Sequence, residues 1–318
     1  MNSPPFLISF PDKEAFKTAL TQDILAAYWA DTERLIDKGL PPAVSVRVLA
    51  TLFGFSSKFV GALSRKPERY YRTFVIRKGK KKREIHAPKI GLKVIQKWLS
   101  WHLGAILKFD DSVYGFVAGR SAPMAAAVHC GATWVYSLDI ANFFPSTPHQ
   151  KVTDALEAIG YPKHAATLIS ALCCYGGNLA QGSPASPVLS NLVFSPLDTA
   201  LKQIAAETGS RYTRYADDIV FSGNTIPPIG LEDRVRTVIV GAGWKVAEGK
   251  DRLAKLPHRL KVHGLLVHGV APRLTKGYRN RIRAIAHLTE YDKVDDNDFA
   301  RFQGHLSYAK SVERIAKK

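Results

Sequence analysis

Tyr212-Thr213-Arg214-Tyr215-Ala216-Asp217-Asp218-Ile219-Val220-Phe221 decides the reading of this 318-residue chain. Two adjacent carboxylates sit between short apolar and aromatic runs, where a β-hairpin would turn. Neighbouring acids repel, and a turn tolerates that best when something strongly positive, most often a divalent metal, lies between them. An Asp-Asp pair alone is usually a solvated turn, so the metal reading needs a further donor. Upstream, Tyr136-Ser137-Leu138-Asp139-Ile140 is an apolar strand-like run with Asp139 at its end, before the turn-forming Asn142-Phe143-Phe144-Pro145-Ser146. Three acids on two neighbouring strands suit two hard cations such as Mg²⁺. Such a pair stabilises the attacking and leaving oxygens of an in-line displacement at phosphorus.

The bulk composition narrows the class of partner. Lys and Arg total 45 against 27 Asp and Glu, a net charge of +18 with an isoelectric point near 9.8. That balance favours a polyanion, most simply nucleic acid, over an acidic protein or a neutral metabolite. A hydrophobic share of 46% excludes a mostly disordered chain, and the length allows one large domain or a few subdomains around a shared core. No N-terminal signal pattern is present, and no run approaches the roughly 18–20 apolar residues of a membrane span, so a cytoplasmic protein with no membrane partner is expected. Cys130, Cys173 and Cys174 lack metal-ligand spacing and read as inert buried thiols.

Around the acidic hairpin the pattern alternates between helix and strand. Helical periodicity comes first, including 15–28 and 43–53, with Pro41-Pro42 as a break. Residues 65–89 are strongly basic. Within them 73–77 and 83–86 flank Lys78-Gly79-Lys80-Lys81-Lys82, which reads as a hairpin with a cationic tip. An amphipathic helix follows over 92–107, then the Asp139 strand, helices near 148–159 and 163–174, a turn before Gln181, a helix over 186–207 and the acidic hairpin. Strands and helices alternate without parallel βαβ regularity, which predicts an α+β fold with an antiparallel sheet backed by helices. The segment 260–269 is another hairpin-like run. In 276–288, Lys276, Arg279 and Arg283 share one helical face and Tyr278, Ile282 and Ile285 another, a division that suits either a duplex-tracking helix or an ordinary surface helix.

Taken together, Asp139-Ile140-Ala141-Asn142-Phe143-Phe144, Gln181-Gly182-Ser183-Pro184-Ala185-Ser186-Pro187 and Tyr215-Ala216-Asp217-Asp218 occur in the order and spacing of reverse transcriptase palm motifs. Further matches are Tyr71-Arg72-Thr73-Phe74, Arg83-Glu84-Ile85-His86-Ala87-Pro88, Gly115-Phe116 with Gly119-Arg120-Ser121, and Gly243-Trp244 with Lys250. The chain most resembles the compact bacterial retron-type enzymes, RNA-directed DNA polymerases. The resemblance implies a right-hand polymerase: a helical lead-in at 1–64, fingers at 65–110, a palm at 111–255 and a short helical thumb at 256–318.

The resemblance also assigns roles. Asp139, Asp217 and the Ile140 carbonyl would hold two Mg²⁺ ions, with Mn²⁺ as a substitute, and Asp218 would add charge or looser coordination. Arg83, with Arg77 or Lys78, would contact the triphosphate, a guanidinium suiting bidentate oxygens better than an ammonium. Asn142, Phe143 and Phe144 would flank the nucleotide. Phe144 would be the aromatic gate that rejects a 2′-hydroxyl, and Phe143, alternating with it, would face the core. Gln181 would border the nucleotide, Gly182 would let the backbone approach, Tyr215 would pack beside the primer end, and Lys250 would protonate pyrophosphate. Lys276, Arg279 and Arg283 would follow the primer–template.

Two retron elements are only approximated. Ala125-Ala126-Ala127-Val128-His129 lacks the asparagine usual at its start, and Val262-His263-Gly264 stands where Val-Thr-Gly is typical. His129 and His263 would belong to recognition of the cognate RNA, or serve the fold instead. The implied partners are a structured non-coding RNA serving as template and primer, dNTPs, the RNA/DNA hybrid and single-stranded DNA product (msDNA), and a separate effector or toxin protein in an antiphage defence setting. Rival readings are a non-retron defence reverse transcriptase, an RNA polymerase palm, which would want a residue tolerant of the 2′-hydroxyl at position 144, and an inactive RNA-binding scaffold, indifferent to Asp217→Asn.

Overall fold

The computed structural model describes residues 5–78, 81–290 and 296–317. Gly79 and Lys80, at the tip of the expected cationic hairpin, and the side chains of Lys78 and Lys81 lie outside what is described. In chain order the elements are α1 (Lys13–Thr18), α2 (Gln22–Asp37), α3 (Val46–Phe53), α4 (Ser57–Arg65), β1 (Tyr71–Lys78), β2 (Lys81–Pro88), α5 (Ile90–Ile106), α6 (Ala122–Val128), β3 (Trp134–Asp139), α7 (His149–Ala158), α8 (Lys163–Cys173), β4 (Cys174–Tyr175), β5 (Asn178–Leu179), α9 (Ser186–Glu207), β6 (Arg211–Tyr215), β7 (Asp218–Gly223), α10 (Leu231–Gly241), β8 (Arg252–Lys255), β9 (Lys261–Val262), β10 (Leu265–Leu266), β11 (Arg273–Leu274), α11 (Lys276–Glu290) and α12 (Asp296–Ala316). Among the described residues no helix is long and apolar enough to cross a membrane.

The chain divides into two compact units, Met1–Phe109 with Asn142–Ser195, and Asp110–Ala141 with Pro196–Lys318. The segment 111–255 is therefore shared between them. In the first unit, side chains of α1 to α5, α7 and α8 bury one continuous core that includes Phe16, Leu35, Leu49, Leu92, Leu99, Leu156 and Ile169. The helical stretch expected over 15–28 is broken. α1 ends at Thr18, Leu20 N–H turns back to the Lys17 carbonyl, and Thr21 takes extended backbone as the N-cap of α2. The second expected helix starts later than Ala43, at Val46, where the Ser45 hydroxyl accepts the Val48 N–H at 3.2 Å; a serine in extended backbone satisfies an otherwise unpaired first-turn donor. β1 and β2 form the expected basic hairpin, paired from Tyr71↔Pro88 to Lys78↔Lys81.

The second unit is built on a four-stranded antiparallel sheet in the order β6-β7-β3-β8. β8 and α10 are additional to the elements expected, although Leu231, Val235, Val238 and Ile239 of α10 recur at helical spacing. Successive side chains in a strand point to opposite faces. With this register, Val135, Ser137, Asp139, Asp218, Val220 and Tyr215 lie on one face and Trp134, Tyr136, Leu138, Tyr212, Arg214 and Phe221 on the other. On the first face Val135 and Val220 join a core with Ala126 of α6, Val262, Leu265 and Val312 of α12. The run expected as one hairpin over 260–269 is a small three-stranded sheet, β11-β10-β9, carrying His263 in the β9–β10 turn.

Candidate active site

β6 and β7 are joined by two residues, Ala216 and Asp217, with Tyr215 paired to Asp218. Ala216 has φ of 58° while Asp217 has no positive φ. A two-residue hairpin loop with positive φ only at its first central position follows the type II′ pattern, in which glycine is the usual occupant. Alanine there costs about 1 kcal/mol or more, so the surroundings must enforce the turn. Gly115 packs against it so closely that an added Cβ would lie 2.9 Å from the Tyr215 carbonyl carbon and in outright collision with the Ala216 nitrogen. Arg214, fully buried, donates to the Ala216 carbonyl at 3.1 Å.

This turn brings the acids together. The Ile140 N–H donates to the Asp217 carbonyl at 2.9 Å, and Asp139 and Asp218 are the last pair of the β3–β7 ladder. Ala247 N–H bonds the Asp139 carbonyl and Ala141 N–H the Lys245 carbonyl, which leaves the Ile140 carbonyl outside that ladder. Burial, with the neighbouring Asp139 and Asp218 charges, raises the Asp217 carboxyl above its ordinary value, against an opposing pull from Lys250. Lys250 Nζ lies 2.5 Å from Asp139 Oδ2, and His263 Nδ1 is 2.9 Å from Asp218 Oδ2. The His263 ring, in a turn with φ of 48°, also packs 5.3 Å from the Tyr215 ring. Its buried Nε2 has no partner among the described residues. Asp139, Asp218, Lys250, His263, Ser137 and Lys261 line a cavity of about 140 Å³.

The donor set is hard oxygen, with Asp139 and Asp218 adding their charge to that of the half-buried Asp217, which fits Mg²⁺ better than a soft metal. The expected three-carboxylate cluster is not closed, however: among the described residues no three His, Cys, Asp or Glu side chains converge as a ligand group. Carboxylates repel one another, and here Asp139 and Asp218 each turn to a basic side chain instead.

The residues expected to meet the nucleotide fall in the first unit, apart from Lys250. Phe143 is buried at 6% exposure, against Phe194 at 5.7 Å between ring centres, whereas Phe144 is half-buried and Asn142 is exposed with φ of 48°. Arg77 and Arg83 are exposed on β1 and β2. The Gln181 carbonyl accepts the His86 N–H at 2.8 Å, docking this loop on β2. Gly182, at φ of 127°, lets the two backbones meet, since a Cβ would lie 2.9 Å from the His86 carbonyl oxygen. Beneath the loop a chain of hydrogen bonds runs from Ser183 through buried Gln96 to Tyr71, at 2.8 and 2.7 Å. Gln96 read only as part of an amphipathic helix; nothing local marks a buried glutamine whose partners lie 25 and 87 residues away.

His129 has no route to a ligand. It is completely buried, with Nδ1 2.7 Å from the Ser222 hydroxyl and Nε2 2.7 Å from the Thr213 hydroxyl, tying α6 to β6 and β7. Burial, helped by His263 and Arg211, lowers its pKa from 6.5 to about 3 and keeps the ring neutral. On α11, Lys276, Arg279 and Arg283 are exposed, while Ile285 is buried and Tyr278 and Ile282 are partly so.

A family model for reverse transcriptase (RNA-dependent DNA polymerase) matches residues 75–244, and the chain belongs to this family. Its similarity to curated retron enzymes makes it a reverse transcriptase of retron type. It is 28% identical to the retron Ec86 reverse transcriptase of Escherichia coli over 91% of each chain, and 30% identical to the retron Mx65 reverse transcriptase of Myxococcus xanthus over 91% of this chain and 74% of that one. Among solved structures, telomerase from Candida albicans in complex with a fragment of telomeric RNA covers 77% of this chain and 55% of its own, with a TM-score of 0.48 and 10% identity. The fold is the α+β right-hand polymerase of the family.

Proposed function

We propose that this RNA-directed DNA polymerase copies a structured non-coding RNA into an RNA-linked single-stranded DNA (msDNA), in the cytoplasm, as part of an antiphage defence that includes a separate effector protein. The observation that carries the catalytic part is the register pairing Asp139 with Asp218 beside the raised carboxyl of Asp217. Two Mg²⁺ ions held by Asp139, Asp217 and the Ile140 carbonyl would supply Lewis acidity at the primer hydroxyl and the triphosphate. Asp218 adds negative charge, and His263 orients its carboxylate. Lys250, already within reach of Asp139, is the proton donor for pyrophosphate as it leaves.

In this reading Arg83 and Arg77 hold the triphosphate, Gln181 and Gly182 border the nucleotide, and Phe144 excludes the 2′-hydroxyl while Phe143 anchors the turn from below. Tyr215 packs beside the primer terminus, and α11 follows the nucleic-acid backbone. The fingers at 65–110, palm at 111–255 and thumb at 256–318 belong to the same proposal. Purified protein given an RNA template, a primer, Mg²⁺ and either dNTPs or NTPs tests it: extension with dNTPs is expected, and a preference for NTPs overturns it. Sequencing nucleic acid that copurifies with the protein tests the msDNA assignment. A DNA covalently joined to one structured RNA supports it, and bulk cellular RNA with no attached DNA refutes it.

A further inference from the structure

We propose that the buried Asp198–Arg214 pair is a positioning device that fixes the orientation of Asp217 by holding one peptide group of the β6–β7 turn. Asp198, on α9, and Arg214, on β6, are 2% and 0% exposed and meet through two parallel bonds, Nε to Oδ1 and Nη2 to Oδ2, each 2.7 Å. The Tyr212 hydroxyl donates a further bond of 2.6 Å to Asp198 Oδ1. The fork of the guanidinium leaves Nη1 to reach the Ala216 carbonyl at 3.1 Å. A lysine at this position would keep the charge but lose the fork.

The consequence follows from turn geometry. Types I′ and II′ differ by a flip of the central peptide, which swings the carbonyl of the first central residue and changes the sign of φ at the second. Here the first central residue is Ala216 and the second is Asp217. Holding the Ala216 carbonyl therefore selects the backbone conformation from which the Asp217 side chain projects. Arg214 acts from the sheet face opposite to Asp139 and Asp218, so it touches neither substrate nor metal and works through the backbone alone. Gly115 packs against the same turn, the main chain of residues 112–115 bonding to Arg214 through Arg214 N–H to Ser112 at 2.9 Å and Tyr114 N–H to Arg214 at 2.8 Å. Together they make a strained alanine turn rigid where glycine would have made it pliable.

The inference rests on Asp217 acting as proposed above, and the experiment separates the two. Arg214→Lys and Gly115→Ala disturb the turn in different ways, one by removing the fork and one by adding a colliding Cβ. Asp217→Asn tests the underlying reading, and Ile239→Ala, a fully buried core truncation in α10, controls for stability alone. The full-length protein is assayed for primer extension at saturating dNTP, for KM of the dNTP, for thermal midpoint, and for Mn²⁺ binding to protein alone by electron paramagnetic resonance. Arg214→Lys and Gly115→Ala should each lose roughly tenfold or more in kcat with KM within about twofold, since a small misplacement of a reacting group has that scale of effect. Both should bind Mn²⁺ several-fold more weakly, whereas Ile239→Ala should lose thermal stability and keep both kcat and Mn²⁺ affinity. If either turn variant folds and retains wild-type kcat and Mn²⁺ affinity while Asp217→Asn is inactive, the pair is only structural and this inference falls. An active Asp217→Asn removes the reading on which it stands.

Discussion

Asp139 and Asp218 face each other as the final pair of the β3–β7 ladder, and each is engaged by a different basic side chain, Lys250 and His263 respectively. Asp217, one residue away in the turn, has its carboxyl raised by burial and by those two neighbours, against a smaller opposing pull from Lys250. Its native form holds a proton more tightly than the unfolded chain does, so above the unfolded value near 3.8 the ionised carboxylate costs stability. Asp217→Asn should therefore melt no lower than wild type at neutral pH without added divalent ion, and higher if the buried charge dominates, while primer extension falls by about 10²–10³-fold or more. A thermal melt and an extension assay on one preparation check both.

Phe144 is half-buried beside a fully packed Phe143. If its ring is the barrier to the 2′-hydroxyl, Phe144→Ala should lower the preference for dNTP over NTP by about 10–200-fold, the scale of a pocket-volume effect, with dNTP turnover largely retained. Phe143→Ala should instead destabilise the fold by about 3–5 kcal/mol, as expected for truncating a buried ring, without admitting ribonucleotides. Single-nucleotide incorporation with matched dNTP and NTP distinguishes them.

His129 gives the pH dependence of stability a definite sign. Its native pKa is depressed to about 3 from 6.5, so the unfolded chain takes up a proton in that interval and the native ring does not. Its contribution is complete above about pH 6.5 and is lost as pH falls toward about 3, at up to about 1.4 kcal/mol per pH unit. His129→Gln keeps polar ends for Thr213 and Ser222 but cannot titrate. Denaturant melts between pH 7 and 4 should show a shallower decline for the variant; parallel declines would assign the acid sensitivity elsewhere.

The acidic hairpin, the Asp139 strand, the basic β1–β2 hairpin and the two faces of α11 were all legible in the sequence, because each is written in local periodicity and turn chemistry. What is not legible there depends mostly on contacts between distant segments. Locally Arg214 is one polar residue inside a strand-forming run; only α9 packing on the sheet shows that it is fully buried against Asp198. For the same reason the sequence leaves His129 open between RNA recognition and the fold, since the burial of the α6 C-cap has no signature in a run of alanines. β8 is four residues long and none of its residues is buried, so neither length nor alternation announces it. The break between α1 and α2 has no sequence signature because apolar spacing continues across Leu20 while the helical backbone does not.

Lys276, Arg279 and Arg283 project from α11 into solvent while Ile285 anchors the helix, with Tyr278 bonded to His305 of α12 at 2.8 Å. Replacing the three cations with alanine leaves that anchored face untouched, so the thermal midpoint should move little. Each phosphate contact released contributes roughly 0.7 to the slope of log affinity against log salt for a single strand, so losing three should flatten that slope by about 2. Sequence preference should be unchanged, because phosphate contacts position without specifying. Fluorescence anisotropy with a labelled RNA across a salt series measures the slope directly. An unchanged slope would remove α11 from the nucleic-acid path and leave it as a surface helix that packs on α12.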